Sequence, residues 1–238
     1  MLTTLKKLRP AKIRSALRRR WFEYQLPRVK LREIAGLSYV GTEYGGWTIP
    51  GDLVGSSWVC YSVGAGGDIS FDLELIQRYG ATVHAFDAVA DYVEQAREQA
   101  GDEPRFSVGQ MAIASSDGPL RMQITHDQSS RSVSSAGLYD SQDFVELPGR
   151  TLPTLMDELG DERIDLLKLD IEGGEYEVLP TLDLRALGVK VFSTQLHHNG
   201  SVADARAIIA HLQRDGYEPV ACTRTVKMTF VHRDLLDA

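Results

Sequence analysis

Between residues 58 and 232 the chain alternates short apolar runs with stretches of helical periodicity, and this rhythm restricts the fold more than any other feature of the sequence. The apolar runs at 58–63, 82–86, 105–108, 164–169 and 189–196 have strand length, and two more follow at 217–222 and 226–232. Helical spacing falls near 69–79, 91–100, 152–159, 175–179 and 203–215. Strands separated by helices line up in parallel, with the helices covering both faces of the sheet. The expectation is an α/β fold with five parallel strands and a terminal hairpin-like pair. A chain of 238 residues holds one such domain with a short appendage.

Charge divides the chain unevenly. Residues 1–32 carry eleven Lys or Arg and one acid, Glu23, for a charge of +10, whereas the remainder carries −17. A strongly acidic body lacks the basic footprint that phosphate backbones require, so nucleic acid is not expected as a partner. Leu2, Leu5, Leu8, Ile13, Ala16, Leu17 and Trp21 recur at roughly helical spacing among the basic residues, which predicts a basic amphipathic helix restarted at Pro10. Its apolar side either meets an anionic membrane or an acidic partner surface, or packs on its own domain or a second subunit. Residues 1–37 are thus read as a helical extension and 38–238 as the main α/β domain. No apolar run reaches the roughly 20 residues that cross a bilayer. The first residues lack the apolar core of a secretory signal, and a cytoplasmic protein is expected. Cys60 and Cys222, far apart in apolar surroundings, read as reduced thiols.

The first chemical signal is the strand WVCYSV running into Gly64, Ala65, Gly66 and Gly67 before a helix. Glycines let the backbone turn tightly against a ligand, and the helix start offers free N–H groups, which suits a nucleotide-derived cofactor. A tight turn with no ligand is the plain alternative. The dinucleotide fingerprint wants a third glycine where Ile69 stands, which weakens a nicotinamide or flavin reading. Asp87 ends the strand TVHAFD 21 residues after Gly66, where a carboxylate can accept hydrogen bonds from ribose hydroxyls or cap the next helix.

The segment DLLKLDIEGGEYEVL is denser in charge, with Asp165, Lys168, Asp170, Glu172 and Glu175, and it delivers Asp170 and Glu172 to the carboxyl edge of the sheet. Here the chain resembles the FkbM family of methyltransferases, whose pattern reads approximately D-x-x-K-x-D-x-E-G-x-E. The glycine turn, VHAFD and TLPTLMDEL match in order and spacing, and the resemblance covers about residues 40–232. It implies a class I, Rossmann-like, seven-stranded and mostly parallel sheet, with S-adenosylmethionine as cofactor. The implied cofactor residues are Ser62, Gly64, Ala65, Gly66, Asp68, Ser70, Asp87, Ala88, Gln110 and Asp170. It also implies O-methylation of a sugar, an oligosaccharide or a glycosylated natural product. The chain departs from the pattern at Ser62 and Gly67, where acids are expected, and at Ala88, where a proline is expected.

In VFSTQLHHN, Gln195, His197, His198 and Asn199 cluster at the end of the fifth strand. Two chemistries fit. Asp170 and Glu172 with His197 or His198, His198 being the one taken into the ligand set, gather a hard cation such as Mg²⁺, which orients the acceptor oxygen and lowers its pKa. Alternatively Glu172 or His197 acts unaided as general base, with Lys168 holding the carboxylates. Glu43, Tyr44 and Trp47, before the first strand, and Gln195 are the candidate contacts to the acceptor. The Ser-rich segment 128–141 reads as an active-site lid or a plain insertion. Two other classes stay open, a noncatalytic scaffold, favoured by Ser62, Gly67 and Gln195, and a nicotinamide-dependent oxidoreductase. The partners expected are a small-molecule or glycan acceptor, with membrane contact through residues 1–32 and a homodimer as further alternatives.

Overall fold

The computed structural model describes residues 10–124, 133–134 and 143–237. The central sheet has seven strands: β1 (Val59–Val63), β2 (Thr82–Asp87), β3 (Phe106–Gln110), β4 (Leu166–Leu169), β5 (Val191–Gln195), β6 (Tyr217–Cys222) and β7 (Lys227–His232). Their spatial order is β6-β7-β5-β4-β1-β2-β3, and only β7 runs against the rest. Helices α1 (Pro10–Gln25), α2 (Ser70–Tyr79), α3 (Ala90–Ala100), α4 (Leu152–Leu159), α5 (Glu175–Val178), α6 (Val202–Arg214) and α7 (Arg233–Leu236) complete the elements that concern the site. The seven-stranded, mostly parallel Rossmann-like sheet that the family resemblance implies is therefore present, with the five parallel strands and terminal pair that the alternation predicts.

All four residues of β4 are buried, as a central strand covered on both faces demands. Leu167 and Leu169 enter a core with Tyr61, Phe192, Leu155 and Ile208, while Leu166 points the other way to Cys60, Phe71, Leu75 and Val191. The helices end where local chemistry ends them. Gly80 and Gly160 take left-handed conformations behind α2 and α4, and Ser201 with Asp204 forms a capping box on α6.

Strand order reverses between β1 and β4, and this crevice is where ligands bind in open parallel sheets. The register aligns the carboxyl ends, with Val63 opposite both Leu169 and Phe86 and Leu169 opposite Thr194. Consequently the glycine turn, Asp87, Asp170 and Gln195 all emerge along one edge.

Two regions differ from the simple rhythm. The turn-rich stretch before β1 contains a hairpin, Leu37–Val40 against Trp47–Pro50. After β3, strands Ala112–Ile113, Gly118–Ile124, Val133–Ser134 and Phe144–Arg150 form a second sheet. Gly118, Pro119, Pro148 and Gly149 sit inside those strands and mask them from propensity. The Ser-rich segment 128–141 lies outside the described residues except for 133–134.

Pro10 opens α1, a position that suits its fixed φ and missing N–H. Phe22 and Leu26 are buried in the main core, and the Arg32 amide donates to the Pro219 carbonyl at 2.8 Å. One face of the N-terminal extension thus packs on its own domain. Cys60 and Cys222 are both free thiols. Among the described residues no helix is long and apolar enough to cross a membrane.

Candidate active site

A cavity of about 590 Å³ opens at the carboxyl edge, between the ends of β1, β2, β4 and β5, and the hairpin loop before β1 contributes Glu43, Tyr44 and Trp47 to its lining. That volume lies within the usual range for small-molecule sites. Its floor is the glycine turn. Gly64 has φ +73°, and a Cβ there would stand 1.8 Å from the Asp170 carbonyl oxygen, so glycine is required for β1 and β4 to close on each other. Gly66 has φ +66° with nothing within 4 Å of where a Cβ would be. The turn keeps open space at Gly66, as a ligand-binding cradle does.

Asp87 orders this turn from β2. One carboxylate oxygen accepts from the Gly66 amide and the other from the Val89 amide, each at 2.8 Å. Burial pushes its pKa up, partly opposed by those two amides and by the Lys168 charge. Lys168, almost wholly buried, donates from Nζ to the Gly64 carbonyl at 2.7 Å. Its ammonium is thus committed to the glycine turn, with Asp72 and Asp87 in its field. Asp72 is a buried acid on α2 whose pKa burial raises, opposed first by the Lys168 charge. The Ser62 hydroxyl and Asp72 Oδ1 are both buried without a hydrogen-bond partner.

At the other end of the cavity His197 stands among three carboxylates. Its Nδ1 is 3.1 Å from Glu175 Oε1, and its Nε2 is 3.5 Å from Glu172 and 3.7 Å from Asp170. Burial alone would push the imidazole pKa down. The Glu175 charge and hydrogen bond, then Asp170 and Glu172, outweigh it and raise the pKa to about 10. Glu175 is wholly buried and also accepts from the Ile171 amide at 2.8 Å, while its second oxygen is buried without a hydrogen-bond partner. Glu172 sits at φ +52°, a conformation that non-glycine residues adopt sparingly and that clusters at functional sites. Asn199 donates to the Gly173 carbonyl at 3.0 Å and fixes the following turn.

The hairpin loop is tied across the site. Thr42 hydrogen-bonds Asp68 through its hydroxyl and donates its amide to the Ser70 hydroxyl at 2.8 Å. Burial would raise the Asp68 pKa, and the hydrogen bonds from Ser70, Thr42 and Gly45 bring it below the usual carboxylate range. From β7, Lys227 donates to the carbonyls of Tyr44 at 3.0 Å and Gly46 at 3.4 Å. The buried Trp47 ring lies 4.9 Å from the Lys227 ammonium and 6.0 Å from that of Lys168.

Of the residues expected to hold a cofactor, Gly64, Ala65, Gly66, Asp68, Asp87, Ala88 and Asp170 line the cavity. Ser62, Ser70 and Gln110 do not line it. Ser62 is buried within β1, Ser70 binds the hairpin loop, and Gln110 donates to the Ala88 carbonyl at 3.4 Å. All four expected acceptor contacts, Glu43, Tyr44, Trp47 and Gln195, line it. The expected ligand set of Asp170, Glu172 and His198 requires correction. His198 is held near Arg18 and Arg19, and burial with those charges lowers its pKa to about 4. The group within 4.8 Å of one another is Asp170, Glu175 and His197. Lys168, expected on the acceptor carboxylates, binds the Gly64 carbonyl instead. Glu175 and Lys227 were missed as functional candidates. Glu175 carried a signal as the last acid of the motif, whereas Lys227 sits in an unremarkable strand.

A parallel sheet in this order, with a glycine turn after β1, an acid ending β2 and a cavity between them, defines a class I methyltransferase domain. Residues 62–219 match the methyltransferase FkbM domain, and the chain belongs to that family. Membership of a methyltransferase family speaks against the nicotinamide-dependent alternative. No curated protein sequence is matched by the chain. Similar solved structures include the METTL16 methyltransferase domain, at 14% identity over 73% of this chain and 59% of that one, with a TM-score of 0.43. The chain thus spans 59% of that domain's length. The precorrin-6y C5,15-methyltransferase from Geobacter metallireducens is similar at 13% identity over 97% and 94% of the two chains, with a TM-score of 0.44. A Methanococcus jannaschii fibrillarin pre-rRNA processing protein is similar at 9% identity over 86% of each, with a TM-score of 0.46.

Proposed function

We propose that this enzyme methylates a hydroxyl of a sugar, an oligosaccharide or a glycosylated natural product, and that Asp170 and Glu172 handle the acceptor oxygen. The observation that carries the reading is the carboxylate cluster on His197, which shares one cavity with the glycine turn and Asp87. Tyr44 and Trp47 with Glu43 supply aromatic faces and a carboxylate on the open side, a lining that suits a polyhydroxylated ring.

The open cradle at Gly66 and the spare lone pairs of Asp87 fit S-adenosylmethionine. When bound it supplies an electrophilic methyl group on a sulfonium. The chain's residues then align the reactants more than they take part in covalent chemistry. Gly64, Ala65 and Gly66 hold the cofactor's polar end, and Asp87 takes the ribose hydroxyls. Glu172 or Asp170 accepts a hydrogen bond from the acceptor hydroxyl, which aims an oxygen lone pair at the methyl carbon. That carboxylate would also take the hydroxyl proton as the methyl group is transferred from the bound cofactor. His197, protonated up to about pH 10 in the cation-free protein, orients the carboxylates as a donor and leaves the base role to them.

Asp170, Glu175 and His197 also fit a divalent cation such as Mg²⁺, since Glu175 has a buried oxygen without a partner. An ion held there would add positive charge beside the acceptor oxygen. His197 would have to give up its proton to bind it.

The test is methyl transfer from S-adenosylmethionine to a panel of sugar glycosides, read by mass and by NMR of the product. An O-methyl product that disappears with Glu172→Gln supports the reading. Methylation at nitrogen or carbon overturns it, and cofactor binding with no transfer to any hydroxyl acceptor favours the scaffold reading.

A further inference from the structure

Among its described side chains, residues 17–25, helix α1 carries two apolar stripes, and its own domain covers only one. Phe22, at 2% exposure, and Leu26, one turn further on, enter the core. Leu17, Trp21 and Tyr24, spaced four and three residues apart, form a second stripe roughly 150° around the helix. These three are 61%, 59% and 59% exposed. Basic side chains frame the stripe. Arg18, Arg19 and Arg20 are exposed, and Arg28 lies over the Tyr24 ring with its guanidinium 4.2 Å from the centroid. A groove beside Trp21 continues the surface to Val202, Ala203 and Arg206 of α6. The acids nearby are Glu23, paired with Arg19 at 3.6 Å, and Asp204, engaged in the α6 capping box.

We infer that this face docks on an anionic bilayer, with Leu17, Trp21 and Tyr24 at the headgroup boundary and Arg18, Arg20, Arg28 and Arg206 on lipid phosphates. Charge complementarity selects this occupant. The N-terminal 32 residues carry +10 and the rest of the chain −17, so an anionic surface attracts this end and repels the remainder, which fixes the docking orientation. Trp and Tyr beside Arg are the side chains that settle at a headgroup layer. A second copy in a two-fold dimer would set this arginine-framed stripe against itself, like charge on like. The inference stands apart from the acceptor and the methyl-transfer chemistry, since it concerns a surface outside the cavity.

Trp47 and Trp58 are buried, so an environmental shift in tryptophan emission on docking reports Trp21. The full chain is mixed at low salt with vesicles of phosphatidylglycerol and phosphatidylcholine in equal parts, and with vesicles of phosphatidylcholine alone. The expected result is co-sedimentation and a blue shift with the anionic vesicles only. Raising the salt, or replacing Arg18, Arg19 and Arg20 together by Gln, should weaken binding by about tenfold or more. Trp21→Ser should remove the shift and weaken co-sedimentation while leaving the circular dichroism spectrum unchanged. Absence of binding by the folded wild-type chain, or equal binding to both vesicle types, overturns the inference. A dimer mass in solution that Trp21→Ser abolishes also overturns it and assigns the stripe to a second copy.

Discussion

Glu175, with no solvent-accessible side-chain surface, holds Oε1 3.1 Å from Nδ1 of His197. A buried carboxylate against an imidazole keeps the ring protonated, and this pair sets the charge of the acceptor end of the cavity. Because the folded pKa of His197 is raised from 6.5 to about 10, the pair's stabilisation is fully present below about pH 6.5 and is lost as the pH climbs through 10. Glu175→Gln should lower the His197 pKa, flatten that part of the stability profile, and cost about 1.5–3 kcal/mol near neutral pH as a charge-assisted hydrogen bond weakens. NMR titration of the imidazole and thermal unfolding from pH 6 to about pH 10 check both effects.

A cation bound at Asp170, Glu175 and His197, as proposed, would compete with the His197 proton. Affinity for Mg²⁺ or Mn²⁺ should rise with pH, and binding near pH 7 should release close to one proton per ion. Calorimetric titrations in buffers of different ionisation enthalpy measure that release. Binding without proton release would show that His197 is not a ligand.

The two left-handed glycines of the turn should respond in opposite ways. Gly64→Ala places a methyl group 1.8 Å from the Asp170 carbonyl oxygen, so it should destabilise the fold by about 3 kcal/mol or more and reduce the yield of folded protein. Gly66→Ala meets no atom within 4 Å and should cost about 1–2 kcal/mol of backbone strain while weakening S-adenosylhomocysteine binding much more. Melting temperature and calorimetric affinity, measured on both variants, separate the two effects.

What was legible in the sequence follows from which forces are local. Strands buried on both faces, such as Leu166–Leu169, announce themselves as unbroken apolar runs, and the Ser201 and Asp204 caps mark a helix start without tertiary help. The second sheet was hidden because Gly and Pro interrupt its strands, and pairing across Gly118–Ile124 and Phe144–Arg150 compensates for their poor propensity. Motif reading placed Asp170 and Glu172 at the edge but could not choose between His197 and His198. Both histidines follow β5 in the loop that leaves Gln195, and only the fold shows that His197 meets the carboxylates while His198 lies in the field of Arg18 and Arg19. Asp165, the first acid of the same motif, proved structural. It lies at the opposite end of β4 and takes Lys190 at 2.7 Å and the Val59 amide at 2.9 Å.

Lys227 links β7 to the hairpin loop over the cavity through the carbonyls of Tyr44 and Gly46. Lys227→Met keeps most of the apolar stem and removes those two donors. The acceptor KM should rise about tenfold, with a smaller change in kcat and in cofactor affinity, because the hairpin loop proposed to contact the acceptor loses its tether. Steady-state kinetics with the acceptor varied against saturating cofactor show the split.

The most direct measurement is calorimetric titration of S-adenosylhomocysteine into the wild-type chain and into Asp87→Ala, with the fold of the variant checked by circular dichroism. Saturable binding by the wild type, weakened about 100-fold or more in a folded Asp87→Ala, is the expected result, since the variant loses the carboxylate proposed to accept from the ribose hydroxyls and also the two bonds that order the glycine turn. No binding by the wild type, or equal binding by the two proteins, would contradict the assignment of this cavity as the cofactor site.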